Sequence, residues 1–458
     1  MTVDTLELIR PHDDAYEKSC QIWNGIHTSR PYAVARCWTA RDVAAALRVA
    51  VAEGVPVTVR GGGHGVAGTA IADGALMIDL SPMNAVHVDP AAHVAIAGGG
   101  SLLRDLDAAT APFNLACPAG VVGHTGLGGL TLGGGYGWLA RRWGLTCDHV
   151  LAAEVVLADG TIVEASPHHE PELFWALRGG GGNFGVVTRF TLRLRAVGPV
   201  HQQIAVYPLD NAAAALAAYR TLAPGQPLDL HMTGAFRDGR DQTWIGEGLR
   251  DVPALFLTSA WFGDPEKVSD QVSRLHDMLS PAAVSRSIIS YAALQAQGDH
   301  GEPYGHRYYT KSCYLADLHR DTIHSMISAA RARPSALSSL DFEYLGGAIR
   351  HVPDGSSAFP NRNANYIYTA SAHWTAPQED RENTGWSRES IDAVGAASTG
   401  AAYVNYLQDE EEGKFVRVYG SERHGRLVAL KSALDPGNLL LGNRNLVPVG
   451  ADSSQRNP

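Results

Sequence analysis

Pro118-Ala-Gly-Val-Val-Gly-His-Thr-Gly-Leu-Gly-Gly-Leu-Thr-Leu-Gly-Gly-Gly-Tyr-Gly-Trp138 holds nine glycines in 21 residues. Glycine is a poor helix former and weakens a strand interior, so this run reads as neither helix nor ordinary strand. It suits backbone wrapped around a large flat cofactor, with Thr125, Tyr136 and Trp138 aimed at the rings. The alternative is a purely structural glycine loop. Tyr136 and Trp138 flank Gly137, so both can project to one side. There they either close a pocket against a planar ligand or wedge into the core beneath the loop.

Working outward, three more glycine clusters appear, at Arg60–Gly68, Gly98–Gly100 and Gly179–Gly185. Glycine totals 49 of 458 residues, roughly 11% against a usual ~7%. The Arg60-Gly-Gly-Gly-His-Gly-Val-Ala-Gly68 stretch follows a predicted strand, Pro56–Arg60, and its N–H groups can form an anion nest. His64 in its middle reads as a phosphate or backbone contact, or as a nucleophile. Gly180-Gly-Gly-Asn-Phe-Gly185 fits G-x-G-x-x-G, but a predicted helix (Glu170–Arg178) precedes it and a strand (Val186–Leu194) follows. That order reverses the dinucleotide-binding arrangement, leaving tight-turn glycines or the lining of a flavin.

The flanking elements are a mixture. Thr39 caps a predicted helix that Gly54 closes. Met77–Leu80 and Val94–Ala97 read as strands, Ser101–Thr110 as a helix, and Val150–Val163 as two strands around Ala158-Asp159-Gly160. From residue 198 the glycine clusters stop. Helical patterns at Asn211–Leu222, Asp264–Leu279 and His319–Ala332 alternate with strands at Ala254–Phe262, Arg307–Leu315, Leu340–Leu345 and Tyr366–His373. Glu411–Leu434 is helical and ends at Asp435-Pro-Gly-Asn438. The expectation is an α+β protein with a first unit over 1–197 (core about 30–197), a substrate unit over 198–419, and a tail over 420–458.

Composition narrows the function. Lys and Arg total 37 against 47 Asp and Glu, a net charge of −10, which disfavours nucleic acid as a partner. The five cysteines are scattered and odd in number, so neither a disulfide framework nor a metal site follows. No signal peptide or membrane-length apolar run is visible. A cytoplasmic monomer or homodimer with no membrane partner is expected.

Leu340-Asp-Phe-Glu-Tyr-Leu345 alternates as a strand, which puts Asp341 and Glu343 on one face about 7 Å apart. Paired carboxylates raise the pKa of at least one of them, which suits a general base; a solvent-facing acidic pair is the plainer reading. In Arg307–Leu315, Tyr309 and Lys311 share a face, as substrate-pocket groups or as surface residues.

Together the chain resembles the berberine-bridge-enzyme-like FAD-linked oxidases, a branch of the vanillyl-alcohol-oxidase superfamily with a PCMH-type FAD-binding domain. It is most similar to the bacterial EncM-like members with one covalent flavin bond. The resemblance runs through RGGGHGVAG at Arg60, DLSPMN at Asp79, the Pro118 run and LFWALRGGGGNFGVVT at Leu173. It continues through YLGGA at Tyr344, YVNY at Tyr403 and DPGNLL at Asp435. It implies a two-subdomain FAD-binding domain made from the N-terminal part plus the C-terminal tail. A middle substrate domain of antiparallel sheet backed by helices would roof the flavin ring.

The resemblance also implies roles. His64 matches the histidine bonded to the flavin 8α carbon. The FAD cradle would comprise Arg60, Gly61, Gly62, Gly63, Gly65, Gly68, Asp79, Gly120, Val121, His124, Thr125, Gly128, Gly129, Gly137, Gly185, Val187, Asn443 and Asn445. A second, cysteinyl bond found in many relatives falls on Val122 here, so only one bond is implied; Cys117 lies five residues too early. Arg444 stands where relatives usually place a glutamine. Asp341 matches an acidic active-site residue and Tyr406 a tyrosine that deprotonates a substrate hydroxyl, with Glu343 beside them. Leu130, Tyr136, Trp138, Tyr309 and Lys311 would shape the substrate pocket. The implied activity is oxidation of a small alcohol, sugar or specialised metabolite by hydride transfer to flavin N5. O2 would be the acceptor and H2O2 the product, and no metal is implied. An oxygenating reaction of natural-product biosynthesis is the alternative, with Thr125 and Leu130 in the oxygen-handling wall.

Overall fold

Thr39 starts the first long helix, Ala40–Glu53, as its sequence predicts: its hydroxyl accepts from the Asp42 N–H (3.2 Å) and the Asp42 carboxylate accepts from the Thr39 N–H (2.9 Å). Gly54 closes it in the left-handed region at φ +67°. This is seen in a computed structural model that describes residues 6–268, 279–408, 415–441 and 445–450. The predicted Asp264–Leu279 helix falls mostly on 269–278, and the start of the predicted 411–434 helix on 411–414, outside the described residues.

The helix buries Val43, Ala46, Leu47 and Ala50 against a four-stranded sheet ordered Glu7–Ile9, Ala33–Arg36, Leu76–Asp79, Val57–Arg60. A second, antiparallel sheet of five strands runs Val86–Asp89, Val94–Gly98, Val186–Arg193, Val150–Val156, Ile162–Ala165. The tail returns to this unit. Val57 donates to the Leu439 carbonyl (2.8 Å) and Leu441 to the Val57 carbonyl (3.0 Å), and Leu427 and Leu446 join the core behind the five strands. Fully buried Lys431 anchors the turn, donating to Asp435 (2.6 Å) and to the Leu440 carbonyl (3.0 Å).

Between Val200 and Trp374 lies one antiparallel sheet of seven strands. Its order is Ala283–Ile289, Val200–Pro208, Ala254–Trp261, Leu230–Arg237, Ser339–Tyr344, Tyr366–Trp374, Arg307–Leu315. Period two sorts its residues. Tyr207, Met232, Phe236, Leu340, Phe342 and Tyr368 face helices Leu209–Leu222, Arg320–Arg331 and Asp380–Asp392, forming the largest apolar core. The opposite face, with Thr233, Thr258, Thr310, Asp341, Glu343 and Thr369, looks onto a cavity.

One expectation fails in the Pro118–Trp138 run. Leu127–Leu132 is a helix despite Gly128 and Gly129. Leu127 and Leu132 are buried, and the Thr131 hydroxyl donates to the Leu127 carbonyl at 2.7 Å. Tertiary packing here overrides propensity.

Candidate active site

The glycine loops and the seven-stranded sheet enclose a cavity of about 1110 Å³. Glycine makes the loops' mutual approach possible: a Cβ on Gly62 would sit 2.4 Å from the Gly126 nitrogen. Gly129, on the helix, instead faces open cavity with no atom within 4 Å of where its Cβ would be.

Gly61, Gly62, Gly63, His64, Gly65, Gly120, Val121, Thr125, Gly128, Gly129, Gly137, Gly185 and Val187 all line this space. Val122 lines it too, whereas Cys117 is buried elsewhere with its thiol pushed up by burial. Leu130, Tyr136 and Trp138 line it as well. Within the protein, Tyr136 packs edge-on against Tyr403 (4.8 Å) and Trp138 against His231 (5.7 Å).

Other expected cradle residues lie elsewhere. Arg60 and Asp79 sit opposite each other on adjacent parallel strands and form a bidentate ion pair (3.1 and 2.6 Å) away from the cavity. Arg60 also donates to the Ser19 carbonyl. This pair locks the sheet behind the loop. Gly68 is also outside the cavity lining, at φ +66°, where a Cβ would strike the His27 ring at 2.3 Å. His124 backs His64, ring to ring at 4.9 Å. The Asn445 side-chain oxygen is buried with no partner, and Asn443 and Arg444 lie outside the described residues.

Tyr309 and Lys311 are corrected. On strand Arg307–Leu315 it is Tyr308 and Thr310 that line the cavity. Tyr309 packs into the helix-side core, where its hydroxyl accepts from Arg388 at 2.9 Å, and Lys311 shares that face by period two.

His64, like His231 and Arg237, brings a buried nitrogen without a hydrogen-bond partner to the cavity lining. Its Nε2 is buried without a hydrogen-bond partner, and burial, then the neighbouring His124, pulls its pKa down to about 3. It is a neutral imidazole at neutral pH, with a nitrogen lone pair available. The neutral imidazole, the glycine walls and the open space at Gly129 fit a large planar group.

Across the cavity stand the carboxyls. Asp341 accepts from the Ser339 hydroxyl (2.6 Å), and burial raises its pKa to about 6. Glu343 meets His231 Nε2 at 2.8 Å. Tyr406 lines the same wall, hydrogen-bonded to Tyr136, and burial holds its phenol protonated. The sequence reading missed Glu302, His231, Arg237 and Trp23. Burial, then Asp341, raises the pKa of Glu302, another cavity residue, to about 8. His231 and Arg237 share the cavity face with Thr233, a period-two pattern legible in Leu230–Arg237. Glu302 lies in an irregular Gly-Glu-Pro loop, where periodicity carries no information.

Residues 31–166 match the model of an FAD binding domain. (R)-6-Hydroxynicotine oxidase of Paenarthrobacter nicotinovorans is 29% identical, over 97% of each chain. A BBE-like protein of Physcomitrella patens superposes with a TM-score of 0.86 at 23% identity, covering 96% of this chain and 97% of that one. The glucooligosaccharide oxidase of Acremonium strictum, described as carrying a 6-S-cysteinyl, 8α-N1-histidyl FAD, superposes with a TM-score of 0.83 at 22% identity over 98% of both. The two superpositions show a shared fold. Among the described residues no helix is long and apolar enough to cross a membrane.

Proposed function

Because the chain belongs to the berberine-bridge-enzyme-like, PCMH-type superfamily of FAD-linked oxidoreductases, we propose that it is an oxidase of a small alcohol, sugar or specialised metabolite, with FAD held covalently by His64 and O2 as acceptor. FAD supplies the two-electron acceptor. Residues 1–197 and 420–458 form the unit that holds it, and 198–419 the unit that presents substrate.

His64, Gly61–Gly63, Gly120–Gly129, Gly185 and Val187 hold the cofactor. His64, as a neutral imidazole, would hold FAD by a bond from a ring nitrogen to the 8α-methyl carbon, with O2 as the two-electron oxidant that takes up the hydrogens displaced from the ring and the methyl group. Val122, which offers no second nucleophile, supports a single bond.

On the opposite wall, Asp341 takes the substrate hydroxyl proton as the adjacent C–H is oxidised. Its pKa of about 6 leaves it ionised yet still basic near neutral pH. Tyr406, kept protonated, donates a hydrogen bond to the substrate oxygen, and Glu343 with His231 fixes the polar edge beside Trp138. The observation that carries this reading is one cavity lined by both His64, whose Nε2 is unpartnered, and the half-buried Asp341.

The test is an anaerobic screen of alcohols and sugars at the flavin absorption band, followed by air. Bleaching by a substrate, then one equivalent of peroxide on aeration, supports the oxidase. Isotopic oxygen from O2 in the organic product instead makes Thr125 and Leu130, both cavity-lining, part of an oxygenating wall.

A further inference from the structure

His64 sits in a loop that cannot orient it unaided. Its neighbours Gly61, Gly62, Gly63 and Gly65 have no side chains to pack its ring, and Gly63 is at φ +65°. What holds the ring comes from far away in sequence. The Trp23 indole lies flat on the His64 imidazole, centroids 4.1 Å apart and planes 11° apart. Trp23 also donates its backbone N–H to the Gly63 carbonyl (3.0 Å), gripping the residue before His64.

Trp23 is itself pinned from the other side. Tyr308 stacks on its far face at 3.8 Å, and the indole N–H donates to the Glu302 carbonyl (3.0 Å). Next to it, fully buried Asn24 donates to both the Val66 carbonyl (2.8 Å) and the Tyr308 carbonyl (2.9 Å), and accepts from the Tyr308 N–H (3.0 Å). Two consecutive residues therefore rivet the loop at 63–66 to the edge strand of the seven-stranded sheet, Arg307–Leu315.

We infer that Trp23, seated by Asn24 and Tyr308, is the positioning residue that aligns His64 for bond formation to FAD, so that the linkage forms only once the seven-stranded sheet is docked on the loop. This rests on the covalent role proposed for His64. A ring free to turn about its χ angles presents its nitrogen in many directions, and misplacement of a reacting group by about 1 Å can cost on the order of 100-fold in rate.

The experiment follows the fraction of flavin that stays with acid-precipitated protein after FAD is added to the wild type, Trp23→Phe, Trp23→Leu and Tyr308→Leu. Total bound FAD and the melting temperature are recorded in parallel. Trp23→Leu should bind FAD but link it about 100-fold more slowly, and Trp23→Phe, which keeps a stacking ring, should stay within about tenfold of the wild type. Linkage at the wild-type rate in Trp23→Leu overturns the inference. So does an equal loss in Trp23→Phe and Trp23→Leu at unchanged FAD content, because stacking would then be irrelevant. If Trp23→Leu cannot be isolated with FAD, Tyr308→Leu decides, slow linkage supporting the clamp and full-rate linkage overturning it. A wild type with bound but wholly extractable flavin removes the covalent role of His64 itself, a result distinct from any difference between variants.

Discussion

Replacing Gly129 and Gly62 with alanine separates the cavity wall that holds a cofactor from the wall that holds the protein. A Cβ added at Gly129 meets no atom within 4 Å, so the substitution does not strain the protein. Because Gly129 lies inside helix Leu127–Leu132, Gly129→Ala should stabilise the apoprotein by about 0.5–1 kcal/mol. The same methyl intrudes on the space assigned to FAD. Overpacking a filled site by one carbon costs about 1–3 kcal/mol, so FAD should bind about 5- to 150-fold more weakly. Gly62→Ala behaves oppositely. Its Cβ would lie 2.4 and 2.5 Å from the Gly126 backbone nitrogen and Cα, so the two loops must part and the apoprotein itself loses about 1–3 kcal/mol. Both are measured in a His64→Ala background, where FAD exchanges freely, by flavin fluorescence titration and thermal melting of the stripped protein. A Gly129→Ala protein with unchanged FAD affinity would refute the placement of FAD against this helix.

Asp341→Asn should slow anaerobic flavin reduction by at least about 10²-fold at normal FAD content, and more than Glu343→Gln does; the reverse ranking would move the base to Glu343. Because Asp341 must be ionised to accept a proton and its pKa is raised to about 6, kcat/KM should climb as pH rises through about 6. A profile flat from pH 5 to 8 would contradict that role. The same upward shift means that folding favours the protonated form, so its stabilisation is complete below the ordinary value of 3.8 and is lost as pH rises through about 6. Asp341→Asn should therefore flatten the melting temperature over that window. Trp138→Ala should weaken substrate binding about 2- to 12-fold while FAD stays bound; an unchanged Kd would make Trp138 a core residue alone. Asp435→Ala strands the buried Lys431 ammonium and should cost about 3–5 kcal/mol in chemical denaturation, against under 1 kcal/mol for an exposed pair.

The parts legible in the sequence are those where one local rule dominates. Thr39, Asp42 and Gly54 delimit their helix by hydrogen-bonding chemistry that needs no partner segment. Asp341 and Glu343 share a face because Leu340, Phe342 and Tyr344 between and around them are apolar and enter the helix-side core. The same rule fails on Arg307–Leu315, where nearly every residue on both faces is buried and polarity no longer marks the cavity side. Arg60 and Asp79 are expected in the cofactor cradle only because the motifs at Arg60 and Asp79 carry the family resemblance. Their actual partnership is set by the parallel register of two strands, a tertiary fact. The grip of Trp23 on His64 and Glu302 spans 279 residues in one of its hydrogen bonds, and no periodicity announces it.

The measurement that tests the central claim most directly is mass spectrometry of the proteolytic peptides of the purified wild type. The peptide containing His64 should carry one covalent flavin, with Cys117 and the other four cysteines unmodified. Flavin on any cysteine, or a flavin-free His64 peptide from protein isolated yellow, would contradict the account.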